Sequence, residues 1–93
     1  MKIKTQKLRE LLGSEEAVQR FIDLFRQQLP AYLESLRKAS VQADWETLSL
    51  SAHALKSQCR YLGLEDAANY LEQLEHQPDQ PLDETLLNEM AAL

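Results

Sequence analysis

DWETLSLSAHALKSQCRYLG, residues 44–63, sets apolar side chains at Trp45, Leu48, Ala52, Leu55, Cys59 and Leu62, spaced 3, 4, 3, 4 and 3. That alternation is the signature of one buried face on an α-helix. Asp44 in front of the run is a preferred N-cap, because its carboxylate accepts from free backbone N–H groups of the first turn. Gly63 behind it supplies the left-handed position at which helices commonly end. The stretch is therefore predicted to be a helix with one apolar stripe, and it needs other helices to cover that stripe.

The flanking sequence provides them. Upstream, Ser14 is a good N-cap, with Glu15 and Glu16 favourable in the first turn that follows. Val18, Phe21, Ile22, Phe25, Leu29, Leu33 and Leu36 then repeat the 3–4 spacing. Pro30 lies inside this run and predicts a kink, or else a break, because it removes one hydrogen bond. Arg37 and Lys38 suit the C-terminal end of the helix dipole. A short first helix, about Thr5 to Leu12, is capped by Thr5 and closed near Gly13. Downstream, a helix from Leu64 to Glu75 turns Ala67, Ala68, Leu71 and Leu74 inward. His76 to Pro81, with two prolines, is a turn. A last helix, Leu82 to Ala92, presents Leu82, Leu86 and Met90, with Leu87 flanking. The expected fold is all-α: an antiparallel up-and-down four-helix bundle with a short additional N-terminal helix as a lid. Residues 1–93 read as a single domain.

Composition agrees. The chain has 18 Leu and 10 Ala against 2 Val, 2 Ile and 3 Thr, so helix formers far outnumber β-branched residues. With 2 Gly and 3 Pro it lacks the punctuation of a many-turned β protein. A net charge of −5 argues against a nucleic-acid partner. The lone Cys59 excludes an intramolecular disulfide and a cysteine-paired zinc site, and no metal is expected. No apolar run reaches the roughly 20 residues that span a bilayer, and MKIKTQKLRE is too polar for a signal peptide. A cytoplasmic domain without direct membrane contact is the expectation.

At about 100° per residue, His53 falls roughly 130° from the apolar stripe and faces outward. Ser49, Lys56 and Ser57 lie one turn away on the same side, with Arg60 two turns along. A neutral imidazole is a competent nucleophile near pH 7, and the two cations favour an incoming phosphoryl charge. A small residue at Ser57 leaves room for a partner's surface, and Leu50 offers an apolar docking contact beside the ring. No carboxylate in this stripe is spaced to orient the imidazole, apart from Glu46 two turns back. With no glycine-rich phosphate loop or nucleotide motif, the pattern suits a phosphoryl acceptor whose chemistry is supplied by another protein. His76, at a helix end before Pro78, has no ligand-like neighbours, and Cys59 sits on the core stripe.

Ala52-His53-Ala54-Leu55-Lys56-Ser57, followed by Leu62-Gly63, resembles the A-H-x-L-K-G…(L/I)-G signature of the histidine-containing phosphotransfer (HPt) domain. The resemblance extends over nearly the whole chain. Leu12-Gly13-Ser14 is similar to that family's first turn, Phe25 to Pro30 to its F-x-x-x-x-P stretch, and Asp44-Trp45 to the start of its active helix. Leu71-Glu72 to Leu74-Glu75 falls where the family often has a closing Leu-Glu. The resemblance implies that His53 accepts a phosphoryl group on Nε2 from the aspartyl phosphate of a response-regulator receiver domain, then passes it to another receiver. Lys56 would pair with the phosphoryl oxygens, while Ser49, Leu50, Ser57 and Arg60 would meet the receiver. The magnesium ion and the aspartate belong to the receiver, so no cofactor is expected here, nor any kinase activity of the chain's own. Where the family usually has Gly after the Lys, this chain has Ser57, which takes some of the open room. A monomer is expected, either excised from the C-terminus of a hybrid sensor kinase at the inner membrane or free-standing.

Two other classes compete with this one. An ATP-dependent histidine kinase has an acidic residue straight after the His and a Pro soon after; here Ala54 follows, and no Pro occurs until Pro78. The alternative is a non-catalytic helical protein-interaction module without phosphorylation. Charge distribution bears on the partner. Residues 1–60 hold 10 basic and 7 acidic groups, whereas residues 61–93 hold 8 acidic groups and none basic. The basic groups beside His53 suit an acidic receiver pocket.

Overall fold

The computed structural model describes residues 1–93 and contains five α-helices and no strands. They are α1 (Gln6–Leu12), α2 (Glu15–Val41), α3 (Trp45–Tyr61), α4 (Glu65–His76) and α5 (Glu84–Ala91). At 1.5 Å per residue a helix as long as α2 spans about 40 Å, and α2 accordingly sets the long dimension of a body measuring 41 × 22 × 21 Å. α3 packs extensively on both α2 and α4, while α1 and α5 rest on α2. None of these helices is long and apolar enough to cross a membrane.

The caps of α2 and α3 form as the sequence predicts, whereas Thr5, expected to cap α1, precedes that helix without a side-chain cap hydrogen bond. Ser14 accepts from the Ala17 N–H, and Asp44 from the Thr47 N–H, each satisfying a free donor of the first helical turn. α3 ends with Gly63 N–H donating to Arg60 O and Leu64 N–H to Cys59 O. This paired closure needs a left-handed residue, and Gly63 supplies it at φ +68. Gly63 is required for a second reason. A Cβ built there would lie 2.7 Å from Lys4 Cβ, because the segment before α1 crosses the turn, with Lys4 N–H donating to Leu62 O at 2.7 Å. α2 closes by the same pattern, Ala43 N–H to Ser40 O and Asp44 N–H to Ala39 O, yet its left-handed residue is Ala43 at φ +53. An alanine there carries the steric strain that a glycine avoids.

The core consists of 20 buried residues, all of them apolar. The α2 stripe is buried from Val18 to Leu36, with Ala39 extending it and Phe21 half-buried. Phe21 sits edge-on to Tyr61, ring centroids 6.2 Å apart. Leu8 brings α1 into the same core. α2 runs through Pro30 without the break that was one expectation, and Pro30 stays on the exposed side. Two expectations are corrected. Trp45, expected in the stripe of α3, is 37% exposed, because as the first residue of its helix it overhangs the end of the bundle. In α5 the buried pair is Leu87 and Met90, with Leu86 only partly covered. Asp83 caps this helix by accepting from Leu86 N–H, so it starts two residues later than Leu82. Tyr70 Oη accepts from Asp83 N–H at 2.7 Å and fixes that start against α4.

Candidate functional site

His53 projects from the middle of α3 with 59% of its side chain exposed, on the side away from Leu48, Ala52, Leu55 and Cys59. The outward placement follows from the helical period, since those four residues are buried completely. Its neighbour one turn along, Lys56, is different. Only 13% of that side chain is exposed, since its stem lies along the α3–α4 seam.

A carboxylate from α4 joins the two. Glu75 Oε1 accepts from His53 Nδ1, and Glu75 Oε2 accepts from Lys56 Nζ at 2.5 Å. The Lys56 hydrogen bond, opposed by partial desolvation and helped by His53, holds the Glu75 carboxyl below its ordinary 4.5. Glu75 is thus ionised at neutral pH and can only accept, which requires the imidazole proton to sit on Nδ1. No protein group hydrogen-bonds Nε2. The arrangement therefore presents an imidazole oriented through Nδ1, with its other ring nitrogen free of protein partners and an ammonium within a helical turn.

Glu75 is the residue that reading α3 alone missed. Glu46 does not fill the role; the orienting carboxylate comes from 22 residues downstream, across a helix interface. The available signal was the closing Leu74-Glu75, noted above as part of the family resemblance but not assigned to the imidazole. The rest of the α3–α4 seam continues the pattern. Arg60 Nη2 pairs with Glu72 Oε2 at 3.3 Å, and Lys56 Nζ lies 4.0 Å from Glu72 Oε1. Ser49 donates its hydroxyl to Glu75 O at 2.7 Å, tying the end of α4 to α3 one turn before His53.

The other residues expected near the site have distinct placements. Ser57 donates its hydroxyl back to His53 O at 3.3 Å, the usual local bond of a serine within a helix. Leu50 is 66% exposed, one turn before His53. On the α2 side the contacts carry no charge: Ser35 and Ser51 share a hydroxyl hydrogen bond of 2.8 Å, and Gln58 Nε2 donates to Tyr32 Oη at 3.4 Å. Cys59 is fully buried, and burial pushes its thiol up to about 12. His76 closes α4 on the surface. No group of three or more His, Cys, Asp or Glu side chains is arranged to hold a metal ion.

The class the fold defines is a helical bundle that exposes an imidazole, oriented by a carboxylate, beside a lysine. Comparison with known proteins makes the assignment specific: the family model described as the Hpt domain matches residues 20–93, and the chain belongs to that family. It is 35% identical over 69 residues to the sensor protein TorS of Escherichia coli strain K12. That match takes in 74% of this chain and 7% of TorS, so the chain corresponds to a small part of its relative. No solved structure gives a significant match. The chain accordingly has a phosphorelay role in two-component signalling, a setting in which Hpt domains partner with receiver domains.

Proposed function

We propose that His53 is the phosphoacceptor of a phosphorelay, taking a phosphoryl group from the aspartyl phosphate of one response-regulator receiver and passing it to another. The observation that carries this reading is the shared carboxylate of Glu75, which engages Nδ1 and Lys56 and leaves Nε2 without a protein partner, in keeping with Nε2 as the attacking nitrogen. In the forward step the Nε2 lone pair forms the N–P bond. The P–O bond to the aspartate breaks, and that carboxylate leaves with its electron pair. The Nδ1 proton stays on the ring, where Glu75 balances the positive charge that develops. Lys56 turns from Glu75 to the phosphoryl oxygens. Return transfer reverses these steps, since a protonated imidazole is a good leaving group.

Residues 1–93 act as one domain in the cytoplasm, as a monomer, with receivers docking over His53. Leu50 supplies apolar contact there, and Ser57 leaves more room than a larger side chain would. The test is incubation with a phosphorylated receiver from the same cell. A base-stable, acid-labile label is expected on the wild type and none on His53→Gln. Label persisting on His53→Gln overturns the assignment, and failure of every receiver to label the wild type favours a purely interacting module.

A further inference from the structure

Glu72 and Glu75 are three residues apart on one face of α4, and they meet two cations four residues apart on α3, Lys56 and Arg60. The pairing is unequal. Lys56 is held by Glu75 at 2.5 Å but stands 4.0 Å from Glu72, whose other oxygen is engaged by Arg60 at 3.3 Å. Glu72 is 46% exposed and Lys56 has three donors, so a rotation of about 1 Å would bring that carboxylate onto the ammonium as well. Arg60 opposes that rotation.

We infer that Arg60 is a positioning residue for phosphoryl transfer, acting through Glu72 to leave Lys56 with a single carboxylate partner. This rests on reading His53 as the acceptor and Lys56 as the cation that receives the phosphoryl oxygens. A lysine bound to one carboxylate breaks one charge-assisted hydrogen bond when it turns to the phosphoryl group; a lysine bound to both must break two. Arg60 also neutralises Glu72, which otherwise places a second negative charge beside an incoming dianion. On this account Arg60 faces inward along the seam, and its contribution lies in the transfer step more than in docking.

The experiment measures the labelling rate of His53 against the concentration of a phosphorylated receiver, with His53→Gln as the control. Arg60→Ala is expected to lower the rate at saturating receiver about threefold, the size suited to a half-exposed ion pair, with the half-saturating concentration unchanged. Arg60→Lys keeps most of the rate, and Arg60→Ala combined with Glu72→Gln restores it, because the competing carboxylate is gone. A raised half-saturating concentration that Glu72→Gln does not correct overturns the inference and makes Arg60 a receiver contact. An Arg60→Ala rate equal to wild type also overturns it. Absence of label on the wild type, or label on His53→Gln, overturns instead the reading of His53 on which the inference stands.

Discussion

The two flanks of α3 are built from different chemistry. Toward α4 the seam is ionic, with Lys56 and Arg60 opposed to Glu75 and Glu72. Toward α2 it is neutral, made by Ser35 with Ser51, Tyr32 with Gln58, and the ring pair of Phe21 and Tyr61. Both flanks cover the same buried stripe, so both contribute to packing. Only the ionic flank can respond to an arriving charge, because its partners can exchange. His53 stands on that side, its Nδ1 held by the α4 carboxylate. The difference separates a flank that holds the helix from one that holds the helix and also orients its imidazole.

Substitutions on each flank sharpen or break that contrast. The largest effect is expected from Lys56→Ala, which removes the one ammonium near Nε2 and slows labelling at least tenfold; an unchanged rate would erase the functional distinction between the flanks. Glu75→Gln tests the titration. Because Lys56, and to a lesser degree His53, holds the Glu75 carboxyl low in the fold, its ionic contribution is present above the ordinary value of 4.5 and is lost as pH falls through the lower folded value. The denaturation midpoint of the wild type should exceed that of Glu75→Gln at pH 7, and the gap should close as the pH is taken well below 4.5. A gap independent of pH would mean that charge on this carboxylate does not stabilise the fold.

Stability and transfer can be varied separately. Ala43→Gly, remote from both flanks, relieves a left-handed alanine and is expected to stabilise by up to about 1 kcal/mol in denaturant titration. Introduced beside Glu75→Gln it should recover stability without recovering the labelling rate. The smallest effect belongs to the neutral flank: Ser51→Ala leaves Ser35 without its partner at a half-exposed position, costing about 1 kcal/mol or less, and labelling should not change. A slowed transfer in that variant would show that the neutral flank also reaches the chemistry.

What could be read from sequence follows the range over which each determinant acts. The caps of α2 and α3, the buried stripe from Leu48 onward and the outward face of His53 depend on residues within a few turns of one another, and all were legible. The contribution of Glu75 was not, because the spacing rules that place a neighbour on one helix are silent about which residue of another helix meets it across 22 positions. The tail of the molecule shows the same limit more locally. Leu86 and Leu87 compete for one inward position, and the choice turns on where Asp83 starts the helix. The turn at Ala43 gave no glycine to mark it, so its left-handed backbone was visible only in three dimensions.

Cys59 has a use that its place in the core creates. Its thiol is fully buried and pushed up to about 12 by that burial, so in the folded protein it stays protonated and shielded from alkylating reagents. Modification must await an opening that releases α3 from its neighbours, and once exposed the thiol returns to ordinary reactivity. As the chain has one cysteine, its alkylation rate is a clock for such openings, carried in the last turn of the helix that bears His53. Read with and without a phosphoryl donor, that clock would time whether the breathing of the bundle changes.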